Sequence, residues 1–211
     1  MNPQSADISA PKAKKIPKEL SKHGHTRIDD YYWLNQREDP EVIAYLEAEN
    51  AYTATQMQDT EALQEKLFEE IKGRIKQSDM SVPYRYNGYS YYVRFKEGQE
   101  YPIYCRARLL DKDGETGEEE VMIDVNQMAE GHNFYALSTA RVSDDNRYLA
   151  FFVDKVGRRQ YTLHIKDLQE NKILEDQIPD VSGFAWSADP GVIFYGKKDP
   201  DTLRPISCRH T

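Results

Sequence analysis

Few residues in this sequence have the types and spacing that catalysis requires. A serine hydrolase of the α/β type holds its nucleophile in a Gly-x-Ser-x-Gly turn, and the sequence contains no such pattern. The nearest match is Gly88–Tyr92, which reads GYSYY, lacks the second glycine and resembles a strand. We therefore expect Ser90 to be a structural residue. Neither of the usual glycine-rich phosphate-binding loops is present.

The histidines suggest neither a metal site nor a catalytic pair. His23 and His25 are separated by one glycine, but no carboxylates complete a ligand set. His164 lies in a predicted strand and is expected to be packed or at the surface. His132 follows Glu130 in a predicted loop, and no serine or cysteine can be named as its partner. The sequence therefore predicts no metal, no cofactor and no catalytic residue in this chain.

Cysteine usage and the N-terminus favour a reducing compartment. Cys105 and Cys208 are far apart and form no CxxC pattern, so neither a disulfide framework nor a zinc site is expected. Residues 1–20 lack the apolar stretch of a signal peptide, and no run of about 18 apolar residues occurs. We therefore expect a cytoplasmic protein without a membrane-spanning segment.

The charge of the chain disfavours nucleic acid as a partner. The formal net charge is −8 and the pI is near 5.2, whereas nucleic-acid binding needs clustered Lys and Arg. The basic clusters, at residues 12–15 and 158–159, are small and are expected to be solvated surface charge. A hydrophobic fraction of 39% suits a globular protein, and the 15 tyrosines favour sheet.

The N-terminal part of the sequence has helical periodicity. Residues 1–22 contain three prolines and are predicted to be a flexible tail. Asp39-Pro40-Glu41 is typical of a helix start, because Asp caps, Pro fits the first position and Glu favours the positive dipole end. A helical extension is predicted over residues 23–78. Its second helix carries an apolar stripe whose residues are spaced at intervals of four: Leu63, Leu67, Ile71 and Ile75. Phe68 lies beside this stripe, and the stripe needs a partner surface to cover it.

After residue 78 the periodicity changes to that of strands. Tyr84–Tyr86 and Tyr89–Val93 flank Asn87-Gly88, a strong hairpin signal because both turn residues tolerate positive φ. Further strands are predicted at about 101–109 and 121–125, with the Gly- and Glu-rich stretch 111–120 as an exposed loop between them. These four strands predict one small antiparallel sheet.

A repeat with an offset of 44 residues follows that sheet. Residues 141–151 (RVSDDNRYLAF) resemble residues 185–195 (AWSADPGVIFY), and each copy is predicted to be strand, Ser-x-Asp turn, strand. In this pattern Asp144 and Asp145 are interpreted as turn formers, since Asp bonds its own backbone in turns. A period of about 40–45 residues holding four strands is typical of a propeller blade. A β-sandwich or barrel of short strands is the alternative.

The number of blades limits what this chain is expected to be. Residues 79–211 can hold about two to three blades, whereas closed propellers use roughly 4–8. An open stack leaves exposed edge strands, so the sequence predicts an incomplete β-propeller and a truncated protein. The predicted fold class is mainly β with N-terminal α-helices. One functional alternative is a free-standing, non-catalytic module that assembles with another subunit.

Several motifs resemble the prolyl oligopeptidase family, and they cover nearly the whole chain, from about residue 23 to about residue 204. They stand in the family's order at residues 27–34 (RIDDYYWL), 45–52 (YLEAENAY), 70–83 (EIKGRIKQSDMSVP), 101–106 (YPIYCR), 124–132 (DVNQMAEGH) and 198–203 (KDPDTL). Within that family they are most similar to the members that cut short peptides after Lys or Arg.

The resemblance implies a helical extension, a seven-bladed propeller that admits only short peptides, and a C-terminal α/β-hydrolase domain with a Ser-Asp-His triad. It also implies that the extension packs against the hydrolase domain, which would give the apolar stripe its partner. The triad belongs to the domain that is missing here, so no triad residue is carried over and the chain alone is predicted to be inactive. Glu130, in an inter-blade loop, is the candidate contact with that domain; an ordinary exposed acid is the alternative.

Overall fold

The change from helical to strand periodicity corresponds to a division of the molecule. The computed structural model describes residues 9–200 and 202–210, so the first eight residues of the predicted tail lie outside the described part. The chain divides into two units, Met1–Ile75 and Lys76–Thr211. The sequence analysis predicted the change of architecture between residues 78 and 79.

The first unit begins with a hairpin that the sequence analysis assigned in part to the tail. Strand β1 (Lys18–Lys22) pairs antiparallel with β2 (His25–Asp29). His23 and Gly24 form the turn with φ values of 53° and 78°, and two successive positive φ values are typical of two-residue hairpin turns. Residues 18–22 are therefore a strand, because this turn brings them back against β2.

Two helices follow the hairpin. They are α1 (Pro40–Met57) and α2 (Glu61–Gly73), each preceded by a short 3-10 turn. The predicted start of α1 is confirmed: Asp39 is the N-cap, its side chain accepts a hydrogen bond from the Glu41 N–H, and Pro40 occupies the first position. None of the helices in the described part of the chain is long and apolar enough to cross a membrane.

The first unit has a small apolar interior. Among its described residues, Val42 is the one hydrophobic side chain that is almost fully buried. Trp33 packs edge-on against Tyr45, with 6.4 Å between ring centres, and its indole N–H donates to the Lys14 carbonyl oxygen. Most apolar side chains of this unit therefore remain at its surface.

The second unit contains two antiparallel sheets. One has the strand order β3-β4-β5-β6 and the other the order β12-β11-β10-β9-β8-β7. A short helix, α3 (Val125–Ala129), follows β6. The strands are β3 (Tyr84–Tyr86), β4 (Tyr89–Arg94), β5 (Ile103–Leu109), β6 (Thr116–Asp124), β7 (Ala136–Val142), β8 (Tyr148–Asp154), β9 (Tyr161–Asp167), β10 (Lys172–Trp186), β11 (Ile193–Lys198) and β12 (Pro205–His210).

The first sheet confirms the predicted hairpin and corrects the predicted loop. Asn87 and Gly88 connect β3 to β4 with φ values of 46° and 83°. Strand β6 begins at Thr116, so Glu118, Glu119 and Glu120, which were predicted to lie in a loop, are part of the strand. Arginines from the same sheet pair with two of these glutamates: Arg94 of β4 with Glu119, and Arg106 of β5 with Glu120.

The second sheet joins one blade to the beginning of the next through a single long strand. The first half of β10 pairs with β9, for example Ile178 with Leu163. Its second half pairs with β11, for example Phe184 with Tyr195. The ladder shifts register between the halves, where Asp180 has a φ of 56°. The boundary between the two blades is therefore a bulge within β10.

The two copies of the repeat have equivalent turns. The backbone N–H groups of Ser143 and Ser187 each donate to the carbonyl oxygen five residues later, at 2.8 and 3.1 Å. The carboxylates of Asp145 and Asp189 each accept a hydrogen bond from the backbone N–H two residues later. The sequence repeat thus reproduces the same strand, turn and strand in space.

Strand β8 is buried on both of its faces, which explains its unbroken apolar sequence. Leu149, Phe151 and Val153 belong to one core cluster, together with residues of β4, β6 and α3. Ala150 and Phe152 belong to a second cluster with residues of β9, β10 and β11. A strand covered on both sides has no polar face, so it does not alternate. The core of the second unit therefore lies on either side of β8.

Replacement of Leu149, which is fully buried, tests this central position. We expect Leu149→Ala to lower the free energy of unfolding by about 2–5 kcal/mol, because it removes buried methyl groups and leaves a cavity. The measurement is urea unfolding followed by circular dichroism. Leu110→Ala is the matched control, since Leu110 is 60% exposed, and an equal loss in both variants would contradict the assignment.

Candidate functional site

The predicted apolar stripe is exposed in the first unit. Leu63, Leu67 and Ile71 of α2, together with Phe68, are between 45% and 58% exposed. Ile75 is 62% exposed and lies beyond the end of the helix, so the stripe continues past Gly73. A contiguous set of large apolar side chains at the surface is typical of a surface that binds another protein surface.

Glu130 lies in the loop between α3 and β7. Asp124 caps α3 by accepting from the Asn126 N–H, and Asn126 exchanges two hydrogen bonds of 2.9 Å with the backbone of Tyr101. The loop is closed by a hydrogen bond from the His132 N–H to the Ala129 carbonyl oxygen. Glu130 itself is exposed, and no described residue donates a hydrogen bond to its carboxylate or pairs with it. Its anchored loop thus presents a free carboxylate.

Ser90 and Cys105 occupy structural positions. Ser90 is buried in β4, where it pairs with Arg85 on one side and Ala107 on the other. Cys105 is fully buried in β5, and burial, assisted by the nearby Glu119 carboxylate, raises the pKa of its thiol to about 11. A thiol with that pKa remains protonated near neutral pH and is a poor nucleophile.

The histidines do not come together. His164 is buried in β9 and stacks on Phe151 at 5.6 Å, and burial together with the charge of Lys155 lowers its pKa. His132 lies 5.5 Å from the Tyr135 ring. His23 lies in the exposed turn of the first hairpin and His25 follows it at the start of β2. Within the described ranges, no serine or cysteine side chain hydrogen-bonds to a histidine.

A buried arginine connects the two sheets. Arg106 of β5 makes a bidentate ion pair with Glu120 of β6, at 2.8 and 2.9 Å. Its remaining terminal nitrogen donates to the carbonyl oxygen of Asn146, in the turn between β7 and β8, at 2.8 Å. The guanidinium also lies 4.4 Å from the centre of the Tyr89 ring. One side chain thus fixes the first sheet against a turn of the second.

A second polar contact crosses between the sheets next to this arginine. The Tyr86 hydroxyl donates to the Asp144 carboxylate at 3.2 Å, and the Asn87 side chain donates to the Asp144 carbonyl oxygen at 2.6 Å. Asp145 behaves as the predicted turn former. Asp144 differs, because its carboxylate is bound by a tyrosine 58 residues earlier in the sequence. Sequence analysis missed this role, since no local pattern connects the two positions.

Comparison with known proteins identifies the family. A model of the N-terminal β-propeller domain of prolyl oligopeptidase matches residues 11–210. The chain therefore belongs to the prolyl oligopeptidase family, and its two sheets with their N-terminal helices are part of the β-propeller region of a peptidase of that family. The resemblance inferred from the sequence motifs is confirmed.

Individual relatives agree with this assignment. Dipeptidyl aminopeptidase BI of Pseudoxanthomonas mexicana is 39% identical over 94% of this chain and 30% of its own length. Protease 2 of Moraxella lacunata is 36% identical over 91% of this chain and 28% of its own length. The structure of oligopeptidase B from Leishmania major matches with a TM-score of 0.85 at 30% identity, over 97% of this chain and 31% of that chain. The chain thus spans about a third of the length of these relatives.

Because Arg106 contacts both sheets, we expect its conservative replacement by Lys to lower the stability of the protein substantially. Arg106→Lys keeps the charge but loses the bidentate geometry and the contact with Asn146. We expect the free energy of unfolding to fall by about 1–3 kcal/mol, because buried polar partners are left unsatisfied. Arg108→Lys, two residues later on the same strand but exposed, is the matched control. Equal urea midpoints for the two variants would show that Arg106 does not connect the sheets.

The lowered pKa of His164 predicts a pH dependence of stability. As pH falls below about 6.5, the unfolded chain binds a proton on this histidine while the folded chain resists doing so. Stability should therefore fall between pH 7.5 and 5.5, and His164→Phe, which keeps an aromatic ring, should remove part of that fall. Urea unfolding at both pH values measures the difference. An unchanged pH dependence in His164→Phe would contradict the prediction.

Proposed function

We propose that this chain is the N-terminal helical and propeller part of a serine oligopeptidase that cleaves short peptides after Lys or Arg. In that enzyme it supplies a docking surface for the hydrolase domain and part of the gate that restricts access to short peptides. The names of the relatives protease 2 and oligopeptidase B support this proposal. The net charge of −8 also favours attraction of basic peptides.

The exposed stripe of α2 carries the proposal. A helix with this many large apolar side chains at its surface gains stability only when another surface covers it, at about 1.5–3 kcal/mol for each Leu or Ile that becomes fully buried. The first unit does not bury these side chains. A hydrolase domain that packs on α2 supplies the cover, which makes docking the main role of this unit.

Glu130 is proposed as the polar contact with the same domain. Its free carboxylate is presented by an anchored loop, and an arginine or lysine of the hydrolase domain is its natural partner. The proposal also places the enzyme in the cytoplasm and gives it no cofactor. Both cysteines of the chain are free, which agrees with a reducing compartment.

A second candidate function is a non-catalytic module that assembles with another subunit. Strand β12 is exposed along its whole length and, in the part of the chain that the structure describes, pairs with β11 alone. An open edge of this kind can accept a strand from a partner. This candidate predicts stable assembly without any contribution to peptide hydrolysis.

Complementation tests the two candidates. The chain is mixed with the separately produced remainder of Moraxella lacunata protease 2, and release of a dye linked to a peptide ending in Arg is followed. We expect no hydrolysis by the chain alone and hydrolysis after mixing. Hydrolysis by the pure chain, or tight association without any hydrolysis, would contradict the proposal. A dye linked to a dipeptide with a free amino terminus tests the activity that the name dipeptidyl aminopeptidase BI suggests.

Variants of α2 test the docking surface. Leu67→Ser should weaken association with the same remainder by roughly 10- to 30-fold, since an apolar side chain worth about 2 kcal/mol is lost from the interface. Leu110→Ser, an exposed leucine of the second unit, is the matched control. Association is measured by isothermal titration calorimetry, and equal affinities would exclude α2 from the interface.

Glu130 is tested in the same assay. Glu130→Gln should weaken association by about two- to fivefold, the range of a partly exposed ion pair. Glu115→Gln is the control, because Glu115 is also exposed but lies in the loop at the opposite end of the same sheet. A loss of affinity that is the same in both variants would make Glu130 an ordinary surface acid.

A further inference from the structure

A cleft in the second unit lies between its two sheets. Its volume is about 740 Å³, and its walls include Tyr84, Tyr86 and Tyr91 from the first sheet and Arg141 and Trp186 from the second. This volume is in the range of sites that hold small ligands or short peptide segments. Tyrosine and tryptophan rings offer apolar faces together with polar edges, which suits an amphipathic ligand.

The strand that borders this cleft is irregular at the same place. Within the described residues β7 pairs with β8 alone, so its other edge faces the cleft without a partner strand. The ladder shifts between the pairs Ser138–Phe152 and Arg141–Ala150, and Thr139 in the bulge has a φ of 50°. That conformation is rare for a β-branched residue. Bulges change the direction of side chains, and strained backbone of this kind clusters at binding sites.

Two groups of opposite charge line the cleft close to this bulge. The Asp144 carboxylate uses one oxygen to accept from the Tyr86 hydroxyl, at 3.2 Å, and the other has no hydrogen-bond donor among the described residues. The guanidinium of Arg141 also has no acceptor there, although its carbonyl oxygen accepts from the Trp186 indole N–H at 3.0 Å. The cleft thus presents one available cation, one available acceptor and aromatic faces.

The two charges restrict the kind of ligand that the cleft can bind. Arg141 and Asp144 are three residues apart, so their α-carbons lie at most about 10 Å from each other. A ligand that pairs with both therefore carries an anion and a cation in the same small molecule or terminal residue. A C-terminal Lys or Arg of a peptide has that arrangement, with the α-carboxylate at one end and the ammonium or guanidinium at the other.

We propose that the cleft binds short peptides that end in Lys or Arg. Arg141 pairs with the terminal carboxylate, and Asp144 binds the basic side chain, whose stem lies against the rings of Tyr84 and Tyr86. The identity of the ligand rests on the proposed function, because cleavage after Lys or Arg releases peptides with this C-terminus. The propeller part of the enzyme then retains its own product, and this product competes with incoming peptides.

Calorimetric titration of the whole chain with three probes tests the proposal. The probes are N-acetyl-Gly-Arg with a free carboxylate, the same peptide as its C-terminal amide, and N-acetyl-Gly-citrulline with a free carboxylate. We expect the first to bind about three- to tenfold more tightly than either of the others, because each of these lacks one charge. Equal affinity for the three probes, or no binding of the first, would overturn the proposal.

Variants assign the two charges. Arg141→Gln should abolish the preference for the acid over the amide, and Asp144→Asn should abolish the preference for Arg over citrulline. Arg108→Gln and Asp176→Asn, both exposed and outside the cleft, should keep both preferences. If a variant does not fold, the relative affinities of the unmodified chain for the three probes test the proposal. Selective binding that is lost in both control variants would contradict the site.

The outcome is separable from that of the complementation experiment. If the chain restores peptide hydrolysis but binds the three probes equally, the product site is wrong and the proposed function stands. If it binds selectively but restores no hydrolysis, the cleft is a basic-peptide site and the proposed function fails.

Discussion

Two-sided burial of β8 is the constraint on which the second unit depends. Leu149 and Phe151 face one core cluster, while Ala150 and Phe152 face the other. Because the strand has no polar face, a sheet that contains it needs an apolar cover on each side. The first sheet and α3 provide one cover, and the bent second half of β10 with β11 provides the other. Neighbouring blades therefore stabilise each other.

Polar contacts fix how the first sheet is oriented against the second. Apolar contacts are not directional, so they define this orientation less closely. Arg106 joins the first sheet to a turn of the second through Glu120 and Asn146, and Tyr86 does so through Asp144. Both contacts involve the turn between β7 and β8, and each polar group in them has a specific partner. They therefore favour one relative position of the two sheets. Burial supplies most of the stability, and these directional contacts specify the geometry.

The parts of the fold that were predictable from sequence are those governed by local chemistry or by repetition. Asn87-Gly88 requires positive φ at both positions, and the 44-residue repeat places Leu149 and Ile193 at equivalent core positions. Strand β1 was missed because it lacks alternation, and the start of β6 because acidic runs resemble loops unless their arginine partners are known. The cleft could not be predicted, since its walls come from residues far apart in the sequence.

One hydrogen bond contributes both to the contact between the two sheets and to the lining of the cleft, and it therefore links stability to binding. The hydrogen bond from Tyr86 to Asp144 holds the two sheets together and also orients the carboxylate that faces the cleft. A site built on a fixed contact between strands is already organised before a ligand arrives, so little ordering cost accompanies binding. A ligand that contacts both sheets in turn favours their docked arrangement over the separated one, to an extent set by its concentration relative to its Kd. Binding of a ligand in the cleft should therefore stabilise the contact between the two sheets, in addition to the stabilisation that the apolar core provides.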